Sequence, residues 1–286
     1  RQIEATELKE DVDKFLKFFN LIFSTYIPES EISKLNSSKF DNLKISDTLK
    51  KVLELSSDIS KKSKGYFDVT VGPLVNAWGF GPDGKQSKPT SEALKEILKK
   101  VGYHKIKIKG NRLYREPGVV LDLSAIAKGF GVDELVKFLE FRGHGNMLVE
   151  IGGELRTRGV KADGSLWRVG IEGPNEKLGK KIIKVVELKN KSLATSGSYR
   201  NYLKYGDQIF NHTINPKTGE PTKHKTISVS VVSEYCADAD AWATALMGMG
   251  VDEGIELANQ NDIAALFQVK IGDDIKILTS REFEKH

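Results

Sequence analysis

The chain has 286 residues, 39% of them hydrophobic, with one cysteine, five histidines and a formal net charge of +5. That length predicts one large domain, or two tightly fused lobes, over 1–286, and the mean hydropathy of −0.34, with no apolar run of membrane length, excludes a membrane-spanning segment. The lone Cys236 excludes an internal disulfide, a Cys-rich zinc site and an iron–sulfur cluster; the positive charge lies in short scattered runs such as Lys61-Lys62-Ser63-Lys64, so no nucleic-acid partner is expected.

Leu8, Val12, Phe15, Leu16, Phe19, Ile22 and Phe23 recur at helical spacing and predict a helix over 6–26, ended by Pro28. A second helix fits 47–63, with Ser46 as its N-cap and Gly65 as its stop. A third fits 91–101. Residues 105–109 alternate with period two and predict a half-exposed strand. Val119–Leu123 reads as a buried strand, and Ser124 as the cap of a helix reaching about Arg142. Strands follow at 147–151 and 154–160, joined at Gly152-Gly153, then at 167–172, 182–188, 208–215 and 226–232. An alanine-rich helix comes next, then a helix near 252–260 and strands at 264–269 and 274–279. Strands in consecutive runs, without strict βαβ alternation, predict an α+β fold of largely antiparallel sheets flanked by helices.

Several stretches could carry chemistry. In Ala237-Asp238-Ala239-Asp240-Ala241-Trp242-Ala243-Thr244, Asp240 and Thr244 lie four apart on one helix face. They present a carboxylate and a hydroxyl, hard oxygens of the kind that Mg²⁺ prefers. The plainer alternative is a first turn that favours acids and a Thr that bonds back to a carbonyl. Cys236 just before it reads as a buried thiol. In Leu121-Asp122-Leu123-Ser124-Ala125-Ile126-Ala127-Lys128-Gly129-Phe130-Gly131, an acid ends an apolar run and two glycines fall inside a helix. Each glycine costs about 1 kcal/mol relative to Ala. Either a ligand or a neighbouring backbone must come close there.

Trp78-Gly79-Phe80-Gly81-Pro82 forms an aromatic loop that could stack on a planar ring or cap a core. Val149–Arg156 carries Gly152-Gly153, a turn or a ligand contact. Thr195-Ser196-Gly197-Ser198-Tyr199-Arg200 is rich in hydroxyls and holds an Arg suited to phosphate. His212 stands at a strand end before Asn215-Pro216 and is a candidate general base, with a structural His as the alternative. His104, His144, His224 and His286 show no zinc-type spacing.

Together and in this order, YFDVTVGPLVNAWGFGP, LDLSAIAKGFGVD, VEIGGELRTRG, LATSGSYRNY, HTINPKTGEP and ADADAWATAL resemble the FAD:protein FMN transferases, the ApbE family of flavin transferases. The resemblance implies an ApbE-like (T-fold-like) architecture with a ligand cleft between lobes. It implies Mg²⁺-dependent cleavage of the FAD pyrophosphate, transfer of FMN to a Thr or Ser hydroxyl of an acceptor protein, and release of AMP. Acceptors in such a family are subunits of membrane redox complexes and extracytoplasmic flavoproteins. By the same resemblance Asp240 and Thr244 hold the metal with an oxygen of Ala125, and Asp240 with His212 is catalytic. Trp78, Gly79, Phe80, Asp122, Lys128 and Ile214 are expected to contact FAD.

Departures from the family pattern are visible. Asn215 stands where Asp is frequent, Ala243 where some members have Asp, and Lys128 where some have Glu. The segment before residue 6 is short, which leads us to expect a trimmed leader and an extracytoplasmic, lipid-anchored full-length form. Two other readings compete: an FAD pyrophosphatase that gives FMN and AMP, and a non-catalytic FAD-binding protein.

Overall fold

Short polar side chains start most of the helices in the N-terminal part of the chain. Helix α1 (Gln2–Phe23) carries a row of rings, with Phe15 6.1 Å from Phe19 and Phe19 4.6 Å from Phe23 between centroids. Helix α2 (Glu31–Ser37) begins where Ser30 Oγ accepts from Ser33 N–H at 3.1 Å. After strand β1 (Asn42–Lys44), helix α3 (Asp47–Lys62) begins where Ser46 Oγ accepts from Leu49 N–H at 3.1 Å. Helix α4 (Gly72–Ala77) has a proline in its first turn, and Thr90 caps helix α5 (Ser91–Leu98) through Ala93 N–H. Strands β2 (Ile106–Lys109) and β3 (Arg112–Arg115) join β1 in an antiparallel sheet of order β1-β3-β2.

This computed structural model describes residues 2–82, 88–174, 182–198, 202–205, 208–272 and 274–286. Contacts divide the chain into two compact units, 1–58 with 68–127, and 59–67 with 128–286.

In the first unit the expected strand at Val119–Leu123 is absent: the segment is extended but joins no sheet. Its backbone bonds go to other partners. Asn36 Nδ2 donates to Leu121 O and Asn36 Oδ1 accepts from Leu121 N–H, both at 2.8 Å, while Asp122 N–H donates to Val69 O. A side-chain amide thus takes the place of a neighbouring strand. The Asp68-Val69-Thr70 segment is a second tie. Asp68 accepts from Thr70 N–H, the Thr70 hydroxyl and Tyr103 N–H, and Thr70 Oγ1 accepts from Gly102 N–H.

The rest of the chain supplies helix α6 (Ala127–Phe141), strands β4 (Met147–Ile151), β5 (Glu154–Arg158), β6 (Trp167–Glu172), β7 (Ile182–Leu188), β8 (Ser192–Gly197), β9 (Tyr202–Tyr205), β10 (Gln208–Asn211) and β11 (Thr226–Ser233), helices α7 (Cys236–Met249) and α8 (Val251–Gln260), and strands β12 (Ala264–Ile271) and β13 (Asp274–Thr279). Ser124 does not cap α6 as expected. A tight turn with Ala127 N–H on Leu123 O precedes the helix.

Six strands form one antiparallel sheet, β13-β12-β11-β8-β5-β4; β6–β7 and β9–β10 are separate ribbons. Helix α7 lies against β8 and β11. Gly254 of α8 meets Phe267 on the same sheet; a Cβ there would sit 3.0 Å from the ring. Leu155, Leu193, Val232, Ala264 and Leu266 form a core with Ile171, Val186 and Leu188 of the β6–β7 ribbon. The period-two alternation of the strands separates this core from the helix-covered face.

Replacing Asn36 leaves the Leu121 N–H and C=O without their partner. Asn36→Ala is therefore expected to lower stability by about 2 kcal/mol in urea unfolding; a loss below about 0.5 kcal/mol would contradict the clasp.

Candidate active site

Helix α7 approaches α6 closely because nothing but hydrogen stands between them at one point. A Cβ on Gly129 would lie 2.3 Å from Cys236 O and 2.9 Å from Ala237 Cα, both backbone atoms that cannot yield. The glycine inside α6 therefore answers a backbone contact. The N–H it brings forward is used at once: Gly129 N–H donates to Asp240 Oδ2 at 3.0 Å. Alanines at 237, 239, 241, 243 and 245 keep α7 narrow around Asp240, and all five are buried.

Asp240 has only 7% of its side chain exposed. Its second oxygen, Oδ1, lies 3.9 Å from Lys128 Nζ. The same ammonium sits 2.5 Å from Glu154 Oε1, and the Glu154 side chain is 5% exposed. Lys128 thus stands between two buried carboxylates. Glu154 is placed there by the β4–β5 hairpin, whose turn is Gly152-Gly153 with φ of 65° and 105°. These left-handed angles admit glycine readily, so the glycine pair is a two-residue turn.

The electrostatics follow from crowding. Burial, then the Asp240 charge, pushes the Glu154 carboxyl up to about 7, against the pull of Lys128. Burial raises Asp240 as well, opposed by Lys128 and by the Gly129 N–H. For Lys128, burial alone would lower the ammonium, but Asp240 and Glu154 together raise it. Burial holds the Cys236 thiol well above its ordinary range, and the cysteine is buried as expected.

Among the described residues no group of three or more His, Cys, Asp or Glu side chains is arranged to hold a metal. One carboxylate with a hydroxyl one turn away, flanked by alanines, suits a cation that keeps water and takes further oxygens from a phosphate ligand. Asp240 and the half-exposed Thr244 meet that description, while Glu154, whose Oε2 is buried without a hydrogen-bond partner, is turned to Lys128 through Oε1. The donor set is all hard oxygen, and the residues fit Mg²⁺.

His212 follows β10 in a bend and is half-buried. The strand expected to reach Asn215 stops at Asn211, because side chains take over the bonding. Asn211 Oδ1 accepts from Thr213 N–H and from the Thr222 hydroxyl, and Asn211 Nδ2 donates to Thr222 O. Asn215 Oδ1 accepts from Lys217 N–H, so the residue standing in place of Asp still makes the turn that an Asp would make. Ile214 is buried and bridges to Pro221.

The first unit carries the other expected residues. Trp78 is 2% exposed and belongs to the core, while Phe80 is half-buried and Gly79 takes φ 84° between them. Asp122 Oδ1 accepts from Ser124 N–H at 2.8 Å, an Asx turn that leads into Ala125. Thr195, from the hydroxyl-rich stretch, lies in β8, where its hydroxyl bonds Ser230 of β11 at 2.7 Å. Tyr199, Arg200 and Asn201 fall outside the described residues.

Glu154 is a site residue that no sequence motif marks; only the two glycines before it stand out. Its strand reads Glu-Leu-Arg-Thr-Arg, mostly polar, so nothing local marks the acid as buried. Asp133 and Arg156, a buried pair at 2.6 Å between α6 and β5, were equally silent.

Comparison with known proteins gives a consistent answer. The model of the ApbE family matches residues 2–267. An FAD:protein FMN transferase of Vibrio cholerae is 37% identical over 98% of this chain and 85% of its own length. That of Haemophilus influenzae is also 37% identical, over 99% and 85%. The crystal structure of Pseudomonas stutzeri flavinyl transferase ApbE in its apo form superposes with a TM-score of 0.90, at 34% identity, covering 98% of this chain and 88% of that one.

Glu154 yields a prediction about pH. Its folded value near 7 exceeds the ordinary 4.5, so the protonated group favours the folded state. The stability it contributes is complete below about 4.5 and is lost as the pH rises through about 7. Between about pH 5 and about pH 8, metal-free protein should lose about 2 kcal/mol more than Glu154→Gln. Urea midpoints measured across that range read the difference, and parallel profiles would contradict it.

Proposed function

The chain belongs to the ApbE family, and we propose that it moves the FMN half of FAD onto a Thr or Ser hydroxyl of an acceptor protein through a phosphoester bond, with release of AMP. The curated relatives are FAD:protein FMN transferases; the chain is a transferase and flavin is its cargo. Acceptors in this reading are extracytoplasmic flavoproteins, subunits of membrane redox complexes among them. Among the described residues no helix is long and apolar enough to cross a membrane.

One observation carries the reading at the level of chemistry. Asp240 is a desolvated carboxylate between alanines 239 and 241, with Thr244 one turn on along the same helix face. In this proposal Asp240, Thr244 and a main-chain oxygen of Ala125 hold Mg²⁺. Bound there, the ion would supply charge screening for the pyrophosphate and stabilise the departing AMP.

The chain's own residues do the rest in this scheme. Gly129 N–H fixes Asp240 Oδ2, which leaves Oδ1, 3.9 Å from Lys128 Nζ, as the oxygen assigned to the cation. Lys128 offsets in part the repulsion between Glu154 and Asp240 and is the cation assigned to FAD in this scheme. Asp122 and Ile214, with the Trp78-Gly79-Phe80 loop, are assigned to the FAD itself. His212 takes the proton of the acceptor hydroxyl, which is a weak nucleophile until that proton leaves.

Two variants test the assignment. Asp240→Ala is expected to lower metal-dependent AMP release from FAD by about 100-fold or more. Unchanged turnover at saturating Mg²⁺ would remove Asp240 from the metal site. His212→Ala is expected to bind FAD within about twofold of wild type, yet to transfer FMN about 100-fold more slowly. Transfer at the wild-type rate would place the base elsewhere.

A further inference from the structure

Three elements meet at the carboxylates of the site, and the same three meet again one layer away. Helix α6 contributes Lys128 and Gly129 to the first meeting and Asp133 to the second. Strand β5 contributes Glu154 and then Arg156. Helix α7 contributes Asp240 and then its own first N–H groups.

Helix α7 has no cap of its own. Its N-cap residue is Tyr235, which makes no side-chain capping bond. Asp133 supplies the cap from α6. Its Oδ1 accepts from Cys236 N–H at 3.0 Å and its Oδ2 from Ala237 N–H at 2.9 Å. An anion at that end also favours the helix dipole. Arg156 Nη1 donates to Asp133 Oδ1 at 2.6 Å, with both side chains 4% exposed, and its guanidinium lies 4.7 Å from the Tyr235 ring centroid. The bonded N–H groups lie about one helical turn before Asp240, so any slide or rotation of α7 is passed to its carboxylate.

We infer that Asp133, held by Arg156, is a positioning residue for Asp240: it locks the first turn of α7 to α6 and β5, and so sets where the Asp240 carboxylate stands for a divalent cation. The inference rests on Asp240 being a metal ligand. Neither Asp133 nor Arg156 needs to touch FAD, the cation or the acceptor. A buried pair of this kind adds little net stability compared with an apolar replacement, which leaves orientation as the reason to keep it. Groups that orient metal ligands weaken binding by about 10- to 100-fold when altered.

The test uses Mn²⁺ as the probe, with unbound ion counted by its paramagnetic resonance signal. FAD affinity without metal and the urea midpoint are measured beside it, for the whole chain. Asp133→Asn is expected to raise the Mn²⁺ Kd about tenfold or more while metal-free FAD affinity stays within about twofold. A purely structural role would lower the urea midpoint and leave the Mn²⁺ Kd of the folded protein unchanged, and that result overturns the inference. If Asp133→Asn does not fold, Arg156→Lys is read in the same way. It keeps the charge but loses the planar fork, and the expected weakening is about threefold; an unchanged Kd overturns the inference. Asp240→Asn separates the two claims. Wild-type Mn²⁺ binding in Asp240→Asn would overturn the ligand reading and this inference with it. Loss of binding there, with no change in Asp133→Asn, would overturn this inference alone.

Discussion

The contact between Gly129 and the first turn of α7 is the constraint on which the candidate site depends. The Cys236 carbonyl occupies the space that any side chain at 129 would need. Once the two helices are that close, the Gly129 N–H can reach Asp240 directly. The alanines of α7 follow from the same requirement, since larger residues would push the helix away from α6 and from β8 and β11 beneath it. Glycine weakens a helix interior by about 1 kcal/mol. Here that cost goes with a backbone donor aimed at a carboxylate.

Bringing Asp240 into that contact strips it of water, and an unpaired buried carboxylate is expensive. Lys128 and Glu154 share the burden as a three-member cluster with one more negative than positive charge when fully ionised. The cluster is under-neutralised: burial raises both acids, and the Asp240 charge raises Glu154 further. An arrangement held only for stability would remove one of the carboxylates. An arrangement that receives a cation and a pyrophosphate has a reason to keep an excess of negative charge in a narrow site.

Much of the fold is legible in the sequence because its signals are local. Ser46 and Thr90 cap the helices that they precede, alternation marks β2, and β6, β7 and β13 match their expected bounds. The failures share a physical cause, which is partners supplied by distant segments. Val119–Leu123 has the composition of a strand, but Asn36 satisfies Leu121 and no neighbouring strand is needed. Strand β8 has the composition of a loop, yet Thr195 and Ser230 satisfy each other's hydroxyls across the sheet. No pattern in one segment reveals a partner 35 or 85 residues away.

The site divides in the same way. Asp240 and Thr244 are visible because helix periodicity alone puts them on one face, and the six ordered motifs carry the family. Glu154, Asp133 and Arg156 are not visible, since each acts through a partner on another element. The central claim is that this molecule transfers FMN to protein. The direct measurement is intact-mass spectrometry of a candidate acceptor with an exposed Thr, incubated with this protein, FAD and Mg²⁺. The account predicts an acceptor heavier by one FMN, with AMP formed in parallel and both lost on chelation. Release of FMN and AMP, with no mass gain on any flavoprotein acceptor offered, would contradict transfer and leave hydrolysis.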